Sequence, residues 1–221
     1  SDVYKRQHMY VRLSIVVYPN SFGWAGFLSM ALFRLPLWLS KGLRFWKLMG
    51  TGKNGTFDKN PDWKRWAVLE VYDTQTATPS FITWWWKMFK TTNTVYQLEP
   101  IEGHGLWDGK QVFGDLPKQS DYEGKIAVLT RATIKLSGLK RFWAHVDAIA
   151  GQMATAPGFI TSVGIGEVPF IKQATFSIWE SKEQMRSFAY KLPLHKEVIK
   201  KTHQEKWYSE DMFTRFKVIE G

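Results

Sequence analysis

The chain has 221 residues, 44% of them hydrophobic, and 30 Lys and Arg against 20 Asp and Glu give it a formal charge of +10. That much apolar content excludes a disordered chain and suffices for one sizeable core or two smaller ones sharing an interface. Cysteine is absent, which excludes disulfides, thiolate metal sites and cysteine nucleophiles and fits a reducing cytoplasm.

Residues 1–8, SDVYKRQH, read as translated cloning or adapter sequence ahead of a start at Met9 and are set apart as a non-native or disordered leader. The β-branched run 10–18 predicts a strand, ended by Pro19 and Asn20. Residues 22–39 are rich in Trp, Phe, Leu and Met but carry Arg34 and Pro36. A transmembrane span needs about 20 apolar residues without such a break. The stretch therefore predicts a helix packed on a sheet, with a greasy outer face suited to peripheral contact with a membrane. Strands over 43–49 and 63–72 follow, then a helix over 79–89 holding Trp84, Trp85 and Trp86 in a row. Three consecutive Trp span too wide an arc of a helix to face one core, so at least one belongs to a surface, pocket or interface. A short strand over 94–98 and an irregular connection to about Gly124 complete this part.

The same order then returns: strand 125–134, helix 139–154, strands 159–163 and 174–179, a helix over 182–206 broken at Pro193, and strand 212–218. Ser181 and Gln184 have capping-box spacing at the start of that helix. Gly50-Thr51-Gly52 and Gly164-Ile165-Gly166 lie 114 residues apart, an offset that also relates the starts of the two first strands, near 10 and 124. A shared offset and a shared element order point to duplication of βαββαβ, the ferredoxin-like motif. The expected fold is α+β: residues 9–221 as one domain of two repeats, about 10–108 and 124–218, whose bare sheet faces meet in an α/β barrel able to enclose a ligand.

Gly50 to Gly55 spells G-x-G-x-x-G after a strand, but Asn60-Pro61 and another strand follow where a dinucleotide site needs a helix N-terminus. These glycines, like Gly164 and Gly166, read as turn residues. The excess charge is local, with eight Lys and Arg against two Asp from 34 to 65. A basic stretch admits nucleic acid, an anionic membrane or an acidic ligand, and is most often a solvated face.

No zinc-protease, Walker or nucleophile-elbow pattern occurs, and the five histidines are too scattered for a metal cluster. One buried imidazole is nonetheless enough to hold a haem iron. His195 shares a helical side with Val198, Ile199 and Thr202, whereas His203 falls with Lys196 and Lys200. A neutral ligating imidazole suits the apolar side, so His195 is the candidate and His203 the reserve. In strand 172–179, Ala174, Phe176 and Ile178 alternate with Gln173, Thr175 and Ser177; in 126–134, Arg131 falls with Ala127, Leu129 and Thr133. If the apolar set packs under helices, Gln173, Thr175 and Ser177 point into the barrel and, with Arg131, form the wall opposite His195.

Several of these stretches resemble the spheroidene monooxygenase family. They are Arg44-Phe45-Trp46-Lys47-Leu48 with Gly50 and Gly52, Thr130-Arg131-Ala132-Thr133-Ile134, Arg141-Phe142-Trp143, Gly164-Ile165-Gly166-Glu167, the run from Gln173 to Trp179, Met185 with Phe188-Ala189-Tyr190, His195, and Trp207-Tyr208-Ser209-Glu210 with Phe213, Arg215 and Phe216. The likeness runs from about Tyr10 to Phe216. It implies a dimeric α/β barrel within one chain, a haem b cofactor, and oxygen-dependent introduction of a keto group into an acyclic carotenoid. It also implies His195 as iron ligand, with Arg131 near a propionate or the bound oxygen.

The resulting expectation is a cytoplasmic haem-dependent monooxygenase of an apolar small molecule, peripheral at the inner membrane face and compatible with a homo-oligomer. Its electron donor is not evident from the residues. A non-catalytic haem or lipid carrier, or another haem-barrel chemistry such as that of aldoxime dehydratases, would use the same pocket. A nucleic-acid-binding module ranks last, because duplication buries the sheet faces it would use.

Overall fold

The computed structural model describes residues 9–191, 202 and 204–220. The first half runs β1 (Tyr10–Val17), α1 (Gly23–Leu32), α2 (Arg34–Trp38), β2 (Leu43–Gly52), β3 (Pro61–Tyr72), α3 (Ser80–Met88) and β4 (Thr92–Gly105). The second runs β5 (Ile126–Ile134), α4 (Leu139–Ala154), β6 (Phe159–Val168), β7 (Lys172–Trp179), α5 (Lys182–Lys191) and β8 (Tyr208–Glu220). Each half is thus βαββαβ. All eight strands close into one barrel in the order β1-β3-β2-β6-β7-β5-β8-β4. The α+β duplicated barrel expected from the repeat is the fold observed.

The halves join edge to edge at β2 with β6 and at β4 with β8. Closure removes the unpaired strand edges that each half alone would expose. At the first seam Gly50 pairs with Gly166 and Thr51 with Ile165, so the two Gly-x-Gly segments face each other. Both lie inside strands rather than in turns, which corrects their reading as turn residues. Their need for glycine is close approach: a Cβ on Gly164 would sit 2.5 Å from Phe57 Cα, and one on Gly52 would sit 2.2 Å from Thr56 O. The loop after β2 crosses the seam there, and no side chain fits beneath it. Strand β4 reaches well beyond 94–98. Pro100 and two glycines disguise its end, and the pairing with β8 absorbs them through a bulge between Pro100 and Glu102.

The barrel interior is apolar and full. Leu13, Met49, Leu69, Leu129, Ile165, Phe176 and Phe216 come from the strands, and the connection after β4 adds Trp107, Val112 and Phe113 to the same cluster. Trp107 is fully buried and meets Phe45 edge-on, while Phe113 meets Phe216 edge-on. The interior therefore holds a plug from this chain, where the pattern alone suggested room for a ligand.

Outside the barrel, α1, α2 and α3 cover the first half. Val16, Trp66 and Val68 from the sheet pack against Phe33, Leu37, Ile82, Trp85 and Trp86. Of the three consecutive tryptophans, Trp85 and Trp86 are buried and Trp84 is exposed. On the second half, Ile126, Val128 and Trp179 pack against Met185 and Phe188 of α5. The backbone N–H of Gln184 donates to Ser181 Oγ at 3.2 Å, the capping contact expected from their spacing. His195, His203 and residues 1–8 lie outside the described residues.

Candidate functional site

Register decides which side chains share a surface, because a strand alternates its faces strictly. In β7 the inward residues are Ala174, Phe176 and Ile178, all members of the interior cluster. Gln173, Thr175 and Ser177 consequently face the helix side of the sheet, not the barrel interior. Arg131 pairs across strands with Ala174 and so looks inward, while its neighbour Thr130 pairs with Thr175 and looks outward. The four residues expected to form one wall are divided between the two faces of the sheet. The apolar set could not cover the helices because it is needed to fill the barrel, where eight strands leave just enough space for side chains.

Arg131 is 1% exposed and sits at the mouth of the barrel in a network of charges. It pairs with Glu210, and its Nη2 lies 3.1 Å from Asp108 and 3.6 Å from Glu167. Its guanidinium stands 5.6 Å over the ring of Trp107, whose Nε1 donates to Glu167 at 2.7 Å. Backbone N–H groups of Asp108 and Gly109 donate to Glu210 at 2.9 and 2.7 Å, and Lys172 donates to Asp108 at 2.7 Å. Burial alone would raise the Asp108 carboxyl, but hydrogen bonds from Lys172 and Lys47 outweigh it and hold the group at about 2. Glu210 is likewise lowered, because donors from Gly109, Asp108 and Arg131 overcome its burial. This network fastens the Trp107 plug to β5, β6 and β8. Its carboxylates come from three separated stretches, which is why no acidic motif marks them in the sequence.

The helix side of the second half differs from that of the first. One row across that sheet reads Gly164, Thr175, Thr130 and Phe213. The matching row of the first half reads Gly50, Trp66, Val16 and Asn93. Gly50 and Gly164, and likewise Val16 and Thr130, keep the repeat offset of 114. Trp66 is buried beneath α1, so closely that a Cβ on Gly26 would lie 2.2 Å from its Nε1. The second half puts the far smaller Thr175 in that place, and Thr130 beside it is exposed in mid-strand. Where one half packs an indole, the other thus has a floor of two hydroxyls.

Aromatic pairs stand on both sides of that floor. Phe57, which lies over Gly164, stacks on Trp143 of α4 at 5.4 Å, and Phe213 stacks on His104 at 5.7 Å. Ser177 accepts a hydrogen bond from Trp179 Nε1 at 3.0 Å, while Gln173 donates to Val168 O. Beyond the row, Phe142 meets Tyr208 edge-on, and burial pushes the Tyr208 phenol up to about 12. A sheet surface that combines aromatic rings with a few hydroxyls suits a flat apolar ligand that carries a small number of polar groups. Thr130 and Phe213 enter the sequence reading only within stretches that carry the family resemblance, not as site residues, and Phe57 does not enter it. Residue 130 was accessible through the offset with Val16, but the match of Trp66 with Thr175 needs the sheet register, since the hairpins between them differ in length.

A duplicated ferredoxin-like barrel closed from two βαββαβ halves defines the class. Solved aldoxime dehydratases share this fold: one in complex with butyraldoxime has a TM-score of 0.65 at 10% identity, covering 96% of this chain and 80% of that one. A second has a TM-score of 0.63 at 10% identity over 97% and 82%. No protein-family model matches the chain. Curated relatives do: it is 37% identical over 184 residues to the spheroidene monooxygenase of Cereibacter sphaeroides and 31% identical over 199 residues to that of Rhodobacter capsulatus. A third, from Rubrivivax gelatinosus, is 32% identical over 180 residues. The chain belongs to the spheroidene monooxygenase family. It spans 56% of the length of the Cereibacter protein, 82% of the Rhodobacter protein and 68% of the Rubrivivax protein.

Proposed function

We propose that this chain is a haem-dependent monooxygenase that oxidises an acyclic carotenoid, with the cofactor seated over Thr130 and Thr175 on the helix side of the second half. The observation that carries this reading is the loss of bulk at Thr175 where the other half holds Trp66. Kinship with three spheroidene monooxygenases supplies the reaction class and an apolar substrate. Haem b is the group proposed, and the donor set fits it in kind: a sheet surface between aromatic pairs, two hydroxyls on it, and His195 following α5 in sequence as the iron ligand.

When bound, the haem would supply activation of O2 for transfer of oxygen to an unactivated carbon. The chain's own residues bind, orient and exclude water. Phe57, Trp143 and Phe213 offer apolar contact to the macrocycle and to a polyene. Thr130 and Thr175 can donate a hydrogen bond toward oxygen or accept one from it, and Ser177 is committed to Trp179. Arg131 lies on the other face of the sheet and has no part in this pocket. We read the enzyme as cytoplasmic and in contact with the inner membrane face, where a membrane-dissolved carotenoid is reached.

The test is turnover of spheroidene by the haem-loaded protein under 18O2 with a chemical reductant. A keto carotenoid carrying the heavy isotope is expected. Stoichiometric haem with no oxidised carotenoid would assign the chain to haem carriage instead.

A further inference from the structure

The three helices of the first half present a second surface. Trp24 is 59% exposed, Phe27 62%, Leu35 62%, Trp38 75%, Leu39 62% and Trp84 53%. Loose packing does not explain this, because the opposite sides of the same helices are closed: Phe33, Leu37 and Ile82 are at most 1% exposed. The helices also form one continuous layer. Trp24 of α1 meets Phe89 at the end of α3 edge-on at 5.4 Å, and Phe33 meets Phe81 of α3 at 6.3 Å. Monomeric proteins rarely leave contiguous apolar patches of this kind unused.

Charge selects the partner. Helices α1, α2 and α3 contain no acidic residue. Arg34, Lys41, Lys87 and Lys90 are exposed in or beside them, and none is in an ion pair among the described residues. Trp side chains mixed with Lys and Arg, on short helices with one apolar outer side, match the interfacial zone of an anionic bilayer. There indole rings lie at headgroup depth and cations meet lipid phosphates. The helices have 10, 5 and 9 residues, and no helix among the described residues is long and apolar enough to cross a membrane. Their geometry permits lying in the interface plane.

We infer that the outer face of α1, α2 and α3 is a docking surface for anionic phospholipid, seated by Trp24, Phe27, Leu35, Trp38, Leu39 and Trp84. This deepens the membrane contact of the proposed function by naming the face and the lipid class, and it requires neither haem nor turnover. The docking face belongs to the first half, and Thr130 and Thr175 belong to the second.

The test is co-sedimentation of the full chain with carotenoid-free vesicles of phosphatidylcholine alone or mixed with phosphatidylglycerol. Binding to the mixed vesicles, weakened by salt, is expected. Trp38→Ser combined with Leu39→Ser should weaken it about tenfold or more, since each change withdraws a large side chain from the interface. Both positions are already exposed, so circular dichroism and cooperative unfolding should be unchanged. Arg34→Glu combined with Lys87→Glu should lower binding to the mixed vesicles far more than to phosphatidylcholine. Equal binding by wild type and the Trp38 and Leu39 variant overturns the inference. So does self-association that this variant abolishes in a chain that ignores vesicles, which would give the face to a second copy.

Discussion

Trp66 and Thr175 occupy the same place in the two halves of the barrel. Each pairs with the first glycine of its Gly-x-Gly, Gly50 or Gly164, and on its other side with Val16 or Thr130, residues that share the offset of 114. Duplication made the positions equal, and the side chains then diverged. The half with the indole is sealed beneath α1, and the other half presents two hydroxyls at the matching place.

The sealed half depends on two of its three consecutive tryptophans. Trp85→Ala should cost about 3–5 kcal/mol by emptying a buried indole site. Trp84→Ala, at an exposed position, should change stability by no more than about 0.5 kcal/mol. Urea unfolding of the two variants reads the difference, and equal effects would mean that the helix is rotated from the position described.

At the seam, Gly164→Ala places a methyl against the backbone of Thr56 and Phe57. Backbone cannot swing aside as a side chain can, so a loss of about 1–3 kcal/mol is expected. Denaturant midpoints measure it. The same change at Gly151, where a Cβ meets nothing within 4 Å, should be neutral or mildly stabilising.

The network around Arg131 predicts a pH dependence. Asp108 is held at about 2 by Lys172 and Lys47 against the pull of its burial, and Glu210 is lowered as well. A depressed carboxyl stabilises the fold fully above its unfolded value, roughly 4, and the contribution fades as pH falls through the folded value. The melting temperature should therefore decline between about pH 4 and pH 2. Asp108→Asn should start lower at neutral pH and decline less steeply across that window.

Haem retention should separate His195 from His203, the two histidines that follow α5 in sequence. His195→Ala should abolish the Soret band of protein purified with haem supplied, and His203→Ala should leave it nearly intact. Retention of the band in both variants would remove His195 as the iron ligand.

The duplicated fold was legible because it is written in patterns the backbone must obey: element order, a repeated Gly-x-Gly, and a constant offset. The helix 139–154 and the capping contact at Ser181 were read directly, since they depend on local spacing. The inward face of β7 was not. Alternation shows that Ala174, Phe176 and Ile178 share a side, but which side faces the barrel depends on how completely the interior must be filled, and that is a tertiary demand. The plug of Trp107, Val112 and Phe113 supplies part of that filling from a stretch that reads as irregular connection. Arg131 looked like a site residue because an arginine in an apolar strand is unusual. Its partners Asp108, Glu167 and Glu210 lie too far away in sequence for any motif to pair them with it.

The proposed seat of the cofactor is tested most directly by Thr175→Trp, which puts in the second half the residue that the first half carries. Circular dichroism and cooperative unfolding should match the wild type, since the row already accepts an indole at Trp66. The haem-to-protein ratio after purification with haem supplied should fall about tenfold or more, equivalent to at least about 1.4 kcal/mol of lost binding. A folded Thr175→Trp protein with an undiminished Soret band would contradict the placement of the cofactor over Thr130 and Thr175.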